Sequence, residues 1–166
     1  MQNMLMEVAT NYTGNVIALV GAALAVIMTG IGSAIGMSWV QQAAAGVISE
    51  QPHKYGKLLI LQLIPSSNAL YGFVVGFLVV NTTVLGGGVF TMTQGLLILA
   101  LCLPIAIVGL LAALAQAKVC AAGVRMVGKR EELSGRALTM SVFIELFALF
   151  ALIVSVLGVL QVQPAG

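Results

Sequence analysis

Residues 137–160 read ALTMSVFIELFALFALIVSVLGVL, a run broken by one ionisable side chain, Glu145. The run is long enough to cross a hydrocarbon core of about 30 Å as a helix. A carboxylate at bilayer depth costs roughly 3 kcal/mol on insertion scales, so a chain that keeps one there generally uses it for ions or protons. The plainer alternative is a protonated glutamate that hydrogen-bonds one helix to another. Either way, the question for the rest of the chain is what surrounds Glu145.

The 166 residues are 60% hydrophobic and 7% charged, with mean hydropathy +1.11. That leaves too little polar surface to cover a soluble core, so the chain is expected to be a multi-pass protein of the cell membrane. Only helices or closed barrels satisfy their backbone groups in lipid, and the long apolar runs lack strand alternation. The expected fold class is all-α. The net charge of +2 is small and the basic residues cluster beside short connections, which argues against nucleic-acid binding. Cys102 and Cys120 fall in one predicted helix about 27 Å apart along its axis, too far for a disulfide, and they match no metal motif. They read as small packing residues.

Four spans follow from hydropathy. Residues 1–13 form a short polar N-terminus without the basic start of a signal peptide. Residues 14–83 form a first hairpin of helix one (14–48) and helix two (58–83), joined by the polar loop 49–57. Residues 84–91, with Gly86, Gly87 and Gly88, form an uncharged turn. Residues 92–161 form a second hairpin of helix three (92–127) and helix four (137–160), joined by the charged loop 128–136, and residues 162–166 are a tail. Lys54, Lys57, Lys118, Arg125, Lys129, Arg130 and Arg136 all lie in or near the loops 49–57 and 128–136. The positive-inside rule therefore puts those loops in the cytoplasm and the termini outside.

The halves are related. Ala44-Ala45-Gly46-Val47 recurs 77 residues later as Ala121-Ala122-Gly123-Val124, and without gaps the same offset pairs Gly32 with Gly109 and Phe73 with Phe150. The chain is a tandem duplication of one helical hairpin. In this register Glu145 corresponds to Asn68. Helices one and three carry small-residue ladders (Gly21, Ala25, Thr29, Ser33; Gly109, Ala113, Ala117, Ala121), with Gly32 and Gly36 as a G-x-x-x-G, and helices two and four carry the phenylalanines. Slim inner and bulky outer helices suit a ring, in which the ladders, Gly32 and Gly109 included, are expected to hold neighbouring subunits together.

Counted inward from Lys57, Arg125 and Arg136, the residues Asn68, Gln116 and Glu145 lie roughly 14–16 Å deep, on one level from three helices. Pro65 in helix two deprives carbonyls around Leu61–Ile64 of their usual partners. The Glu145 carboxylate, the Gln116 amide, the Ser67 hydroxyl and a carbonyl loosened by Pro65 form an oxygen set of the kind a hard cation prefers. Tyr71, near Asn68 on the same helix, can donate a hydrogen bond to Glu145. A plainer reading of helix two is a structural kink whose serines bond back to their own helix.

Several segments carry a resemblance: Gly30-Ile31-Gly32-Ser33-Ala34, Leu61-Gln62-Leu63-Ile64-Pro65, Leu70-Tyr71-Gly72-Phe73, Ala115-Gln116-Ala117-Lys118-Val119, and Glu145. On these the chain resembles, over nearly its whole length, the proteolipid (subunit K, or c) of bacterial V-type rotary ATPases. The resemblance implies a ring of identical four-helix subunits in lipid, turning against an a/I-type stator subunit with a membrane arginine. Central-stalk subunits would dock on the cytoplasmic loops, and the complex would run as a pump or in ATP synthesis. It implies no catalysis by this proteolipid alone and no organic cofactor. In sodium-translocating members the matching positions hold Na+, here Glu145, Gln116, Ser67, Asn68 and the Ile64 carbonyl; in others a proton takes its place. This chain departs from the sodium pattern in having Asn68 for a longer glutamine, Ser67 for threonine, and Leu146 where a hydroxyl residue can occur.

The competing class is a small multidrug or cation exchanger with a membrane glutamate, although that architecture puts its carboxylate in the first helix. A structural pore or junction protein is the third. Because the loops 49–57 and 128–136 expose both signs of charge, Lys54, Lys129 and Arg130 are expected to contact the stalk.

Overall fold

A computed structural model describes residues 2–164, with side chains described from Tyr12 onward. Five α-helices and short tight turns make four rods: α1 (Gln2–Glu50), α2 (Tyr55–Leu63) continuing into α3 (Ser67–Val80), α4 (Met92–Lys129), and α5 (Ser134–Gln161). The stretches Tyr12–Glu50, Pro52–Leu85, Met92–Lys129 and Glu131–Gln161 are each long and apolar enough to cross a membrane. The second hairpin is built from Met92–Lys129 and Ser134–Gln161. At the start, however, α1 begins at Gln2 instead of residue 14, because Met4 to Tyr12 contain no proline or glycine to stop a helix. The polar loops are also shorter than their composition suggested. Three-residue 3₁₀ turns at Pro52–Lys54 and Glu131–Leu133 absorb most of them.

Pro65 does not break its rod. Residues Ile64–Ser66 tighten into a 3₁₀ turn between α2 and α3, a geometry that tolerates the missing amide. At the opposite end the helix closes through a π-turn at Asn81–Leu85, and Gly87 takes φ +65°, a left-handed conformation that favours glycine. Asn15 clamps this turn to α1, donating to the Gly88 carbonyl at 3.0 Å and accepting from the Phe90 amide at 2.8 Å. Thr91 and Gln94 then form a capping box that starts α4.

The slim helices α1 and α4 make the most extensive pair, with α3 packed mainly on α1 and α5 mainly on α4. The small-residue ladders line that internal seam. A methyl group built on Gly32 would lie 2.8 Å from the Leu110 carbonyl oxygen, and one on Gly36 would lie 2.8 Å from the Ala117 methyl. Gly109 faces Thr29. The expectation that Gly32 and Gly109 join neighbouring subunits is therefore corrected. They face each other's helices inside one protomer, where close backbone approach gains dispersion contacts that lipid cannot replace. The phenylalanines Phe73, Phe77, Phe143, Phe147 and Phe150 are exposed on the outer rods.

Lys54 overturns a second expectation. It is buried at 7% exposure, and its ammonium donates to the carbonyls of Gly128 at 2.7 Å and Val127 at 3.3 Å. These are end carbonyls of α4 with no intrahelical partner, where a cation also opposes the negative end of the helix dipole. Lys54 thus ties the first loop to the second hairpin and is not free to contact a stalk. Beside it, Lys57 and Glu131 form an exposed ion pair at 2.7 Å, and the Lys57 ammonium holds the Glu131 carboxyl below its ordinary range. An exposed pair of this kind adds little stability.

Candidate ion-binding site

The site lies where α3, α4 and α5 meet. On α3, Asn68 and Tyr71 are three residues apart and share a face; on α5, Ser141 and Glu145 are four apart and do the same. The Tyr71 hydroxyl donates to Glu145 Oε1 at 2.5 Å. About one turn nearer the charged loops, Asn68 Nδ2 donates to Gln116 Oε1 at 2.9 Å, and Gln116 Nε2 donates to the Ser141 carbonyl at 3.4 Å. Asn68 and Gln116 are fully buried, and Glu145 is half-buried at the edge of the outer surface, next to exposed Leu146 and Phe147.

The carbonyl of Ser141 dictates the polarity of this chain of amides. A carbonyl can only accept, so Gln116 turns its NH2 toward it and its oxygen toward Asn68, which must answer with its own NH2. Asn68 Oδ1 is thereby left buried with no partner. A buried amide oxygen without a donor costs free energy unless a proton or a cation completes it.

Ser67 and Ile64 stand differently from what the proline suggested. The Ile64 carbonyl accepts both the Ser67 backbone amide and, at 2.8 Å, the Ser67 hydroxyl. It is loosened from regular α-helical pairing but not vacant, because the 3₁₀ turn moves the next donor one residue closer. The serine back-bonding weighed from sequence occurs at both Ser66 and Ser67.

Two polar groups at this depth escaped the sequence reading. Ser141 is fully buried, and its hydroxyl lies 2.8 Å from the Cys120 sulfur. Its position one turn before Glu145 was the available signal. Cys120 is therefore hydrogen-bonded as well as packed. Lys118 places its ammonium 5.8 Å from the Trp39 ring centroid, a cation–π contact. Among the described residues no cluster of three or more His, Cys, Asp or Glu side chains exists, so the donors available at this depth are one carboxylate, amides, hydroxyls and carbonyls. Such a set suits a hard monovalent cation or a proton far better than a transition metal.

Comparisons with known proteins agree with the duplication. Residues 20–79 and 99–157 each match the family of the ATP synthase C subunit. Over 152 residues, covering 92% of this chain and 96% of the relative, the sequence is 39% identical to the V-type sodium ATPase subunit K of Enterococcus hirae. It is also 32% identical over 142 residues to the A-type ATP synthase subunit K of Methanocaldococcus jannaschii, covering 86% of this chain and 61% of that relative.

Proposed function

The chain belongs to the ATP synthase C-subunit family as a duplicated, four-helix membrane proteolipid, and we propose that its Glu145 carries sodium ions through the rotor of a V-type ATPase. Members of this family are non-catalytic, ion-translocating subunits that work as a ring of identical copies, which removes the exchanger and the junction protein from consideration. Sodium is the cargo named for the relative from Enterococcus hirae.

The observation that carries the sodium reading is a buried pair of amides one turn from the carboxylate, with one amide oxygen left unpartnered. A proton carrier needs only a carboxyl group in an apolar setting, and each further buried polar group costs desolvation. Here Gln116 and Asn68 are fully buried beside α5, and Asn68 Oδ1 has no donor. In this reading Glu145 supplies the charge, while Gln116, Asn68, Ser67 and the Ile64 carbonyl supply neutral oxygens. Cation entry draws the Ser67 hydroxyl off Ile64 and frees that carbonyl. Tyr71 holds the carboxylate in place from the side. One observation favours a proton instead: the Tyr71 hydroxyl and the doubly occupied Ile64 carbonyl satisfy much of the site without a cation.

The partners follow from the same reading. The loops near Pro52–Lys54 and Glu131–Leu133 face the cytoplasm and meet the central stalk through Lys129 and Arg130, the termini face outward, and a stator arginine passes the half-buried Glu145. The test is carbodiimide labelling of Glu145 in purified rings across a sodium titration near neutral pH. The reagent needs a protonated carboxyl, so labelling that falls with sodium but not with potassium supports the reading. Labelling governed by pH alone overturns it in favour of a proton.

A further inference from the structure

Two buried side-chain atoms lack partners and have complementary needs: Asn68 Oδ1 is an acceptor, and Ser33 Oγ carries a proton to donate. Ser33 is 2% exposed and Asn68 fully buried. The register between α1 and α3 brings them to the same level. Gly76 packs against Ala22 and Val26, and Gly72 against Ala25 and Thr29. The two helices run antiparallel, so one further turn of α3 toward the charged loops sets Asn68 opposite the next turn of α1, which spans Thr29 to Ser33.

The hydroxyl of Ser33 also behaves unlike its neighbours. Thr29, Ser66, Ser67, Thr82 and Thr83 each bond back to a carbonyl three or four residues earlier, the usual solution for a hydroxyl in a membrane helix. Ser33 does not. The other orphaned side-chain atoms among the described residues, Gln62 Nε2 and Ser155 Oγ, are about 9 Å and about 15 Å along their rods from Asn68 and Glu145 respectively.

We propose that Ser33 is a positioning residue for the ion site: the two orphaned groups are not hydrogen-bonded to each other as they stand, and rotation of the Ser33 side chain toward α3 lets its hydroxyl donate to Asn68 Oδ1. This completes a polar chain from Ser33 through Asn68 and Gln116 to the Ser141 carbonyl, crossing α1, α3, α4 and α5. An amide oxygen accepts in two directions, so Ser33 takes the one turned toward α1 and leaves the other for the cargo. Helix α1, which contributes no ligand, thereby fixes the reach of the short Asn68 side chain. The inference rests on the ion-site reading above.

The experiment is the same labelling of Glu145, read as the sodium concentration that gives half protection. Ser33→Ala is expected to raise that midpoint about 5- to 20-fold, the effect of losing one buried hydrogen bond. Ser33→Thr keeps a hydroxyl and stays within about twofold of wild type. Ser33→Val matches threonine in volume but not in chemistry, and follows alanine. In an Asn68→Ala background, Ser33→Ala adds no further shift, because the group it acts through is gone. A wild-type midpoint in Ser33→Ala, or an equal shift with and without Asn68, overturns the proposal. If the alanine and valine variants do not assemble, Ser33→Cys, a weaker donor of similar size, carries the measurement with the same two outcomes. Wild-type labelling that ignores sodium defeats the sodium reading by itself. Ser33 is then read on the pH midpoint of labelling, where an unchanged Ser33→Ala value overturns it and a shift abolished by Asn68→Ala supports it.

Discussion

The Tyr71 hydroxyl donates to Glu145 Oε1 at 2.5 Å, a hydrogen bond that joins the first hairpin to the second. Because duplicated hairpins carry the two partners on different halves of the chain, the proposed ion site forms only when both halves pack together. Tyr71→Phe keeps the ring packing and removes the donor. Its expected result is a loss of about 3- to 10-fold in apparent sodium affinity, measured by protection of Glu145 from carbodiimide, with ring yield unchanged.

Glu145→Gln removes the only charged ligand in the set. Coupled ion transport should be abolished while rings of normal size still purify, since the glutamine fills the same space. Reconstituted vesicles assayed for ATP-driven sodium uptake check the first half of this statement, and native gels of solubilised membranes check the second. Uptake near the wild-type rate would refute the assignment of Glu145 as carrier.

The amide pair offers a sharper test of what holds the site together. Gln116→Leu leaves Asn68 Nδ2 buried without an acceptor, and should lower protomer stability by about 1–3 kcal/mol. Adding Asn68→Leu removes the orphan, and most of that loss should return, although ion binding should not. Thermal denaturation of the rings in detergent measures both variants against wild type.

Lys54 and its neighbours separate a structural cation from surface ones. Lys54→Met withdraws the cap from Val127 and Gly128 and should destabilise the protomer by about 1–2 kcal/mol. Replacing Lys129 and Arg130 with alanine should leave stability unchanged and weaken attachment of the soluble sector, read by co-purification of ATPase activity with the membrane fraction.

Gly32→Leu forces a side chain into the Leu110 backbone and should cost the protomer its fold. Gly30, two residues away, has nothing within 4 Å of an added methyl group, so Gly30→Ala should leave the protomer folded. Comparable yields of the folded, detergent-soluble protomer from Gly32→Leu and wild type would place the α1–α4 seam elsewhere.

What the amino-acid sequence determined by itself was chiefly what depends on distance along the chain. The four spans follow from runs of apolar residues, and the duplication from the recurrence of Ala-Ala-Gly-Val. The approximate depth of Asn68, Gln116 and Glu145 follows from a constant rise per residue, although the structure sets Glu145 one turn deeper than the amide pair. Direction around each helix axis was another matter. A membrane helix is apolar on all sides, because lipid and protein interior are alike to it, so hydropathy carries no period that says which face meets which neighbour. Only the tertiary structure therefore turned Gly32 inward to Leu110, folded Lys54 back onto α4, put the Ser141 carbonyl where it sets the polarity of two amides, and gave both lone pairs of the Ile64 carbonyl to Ser67.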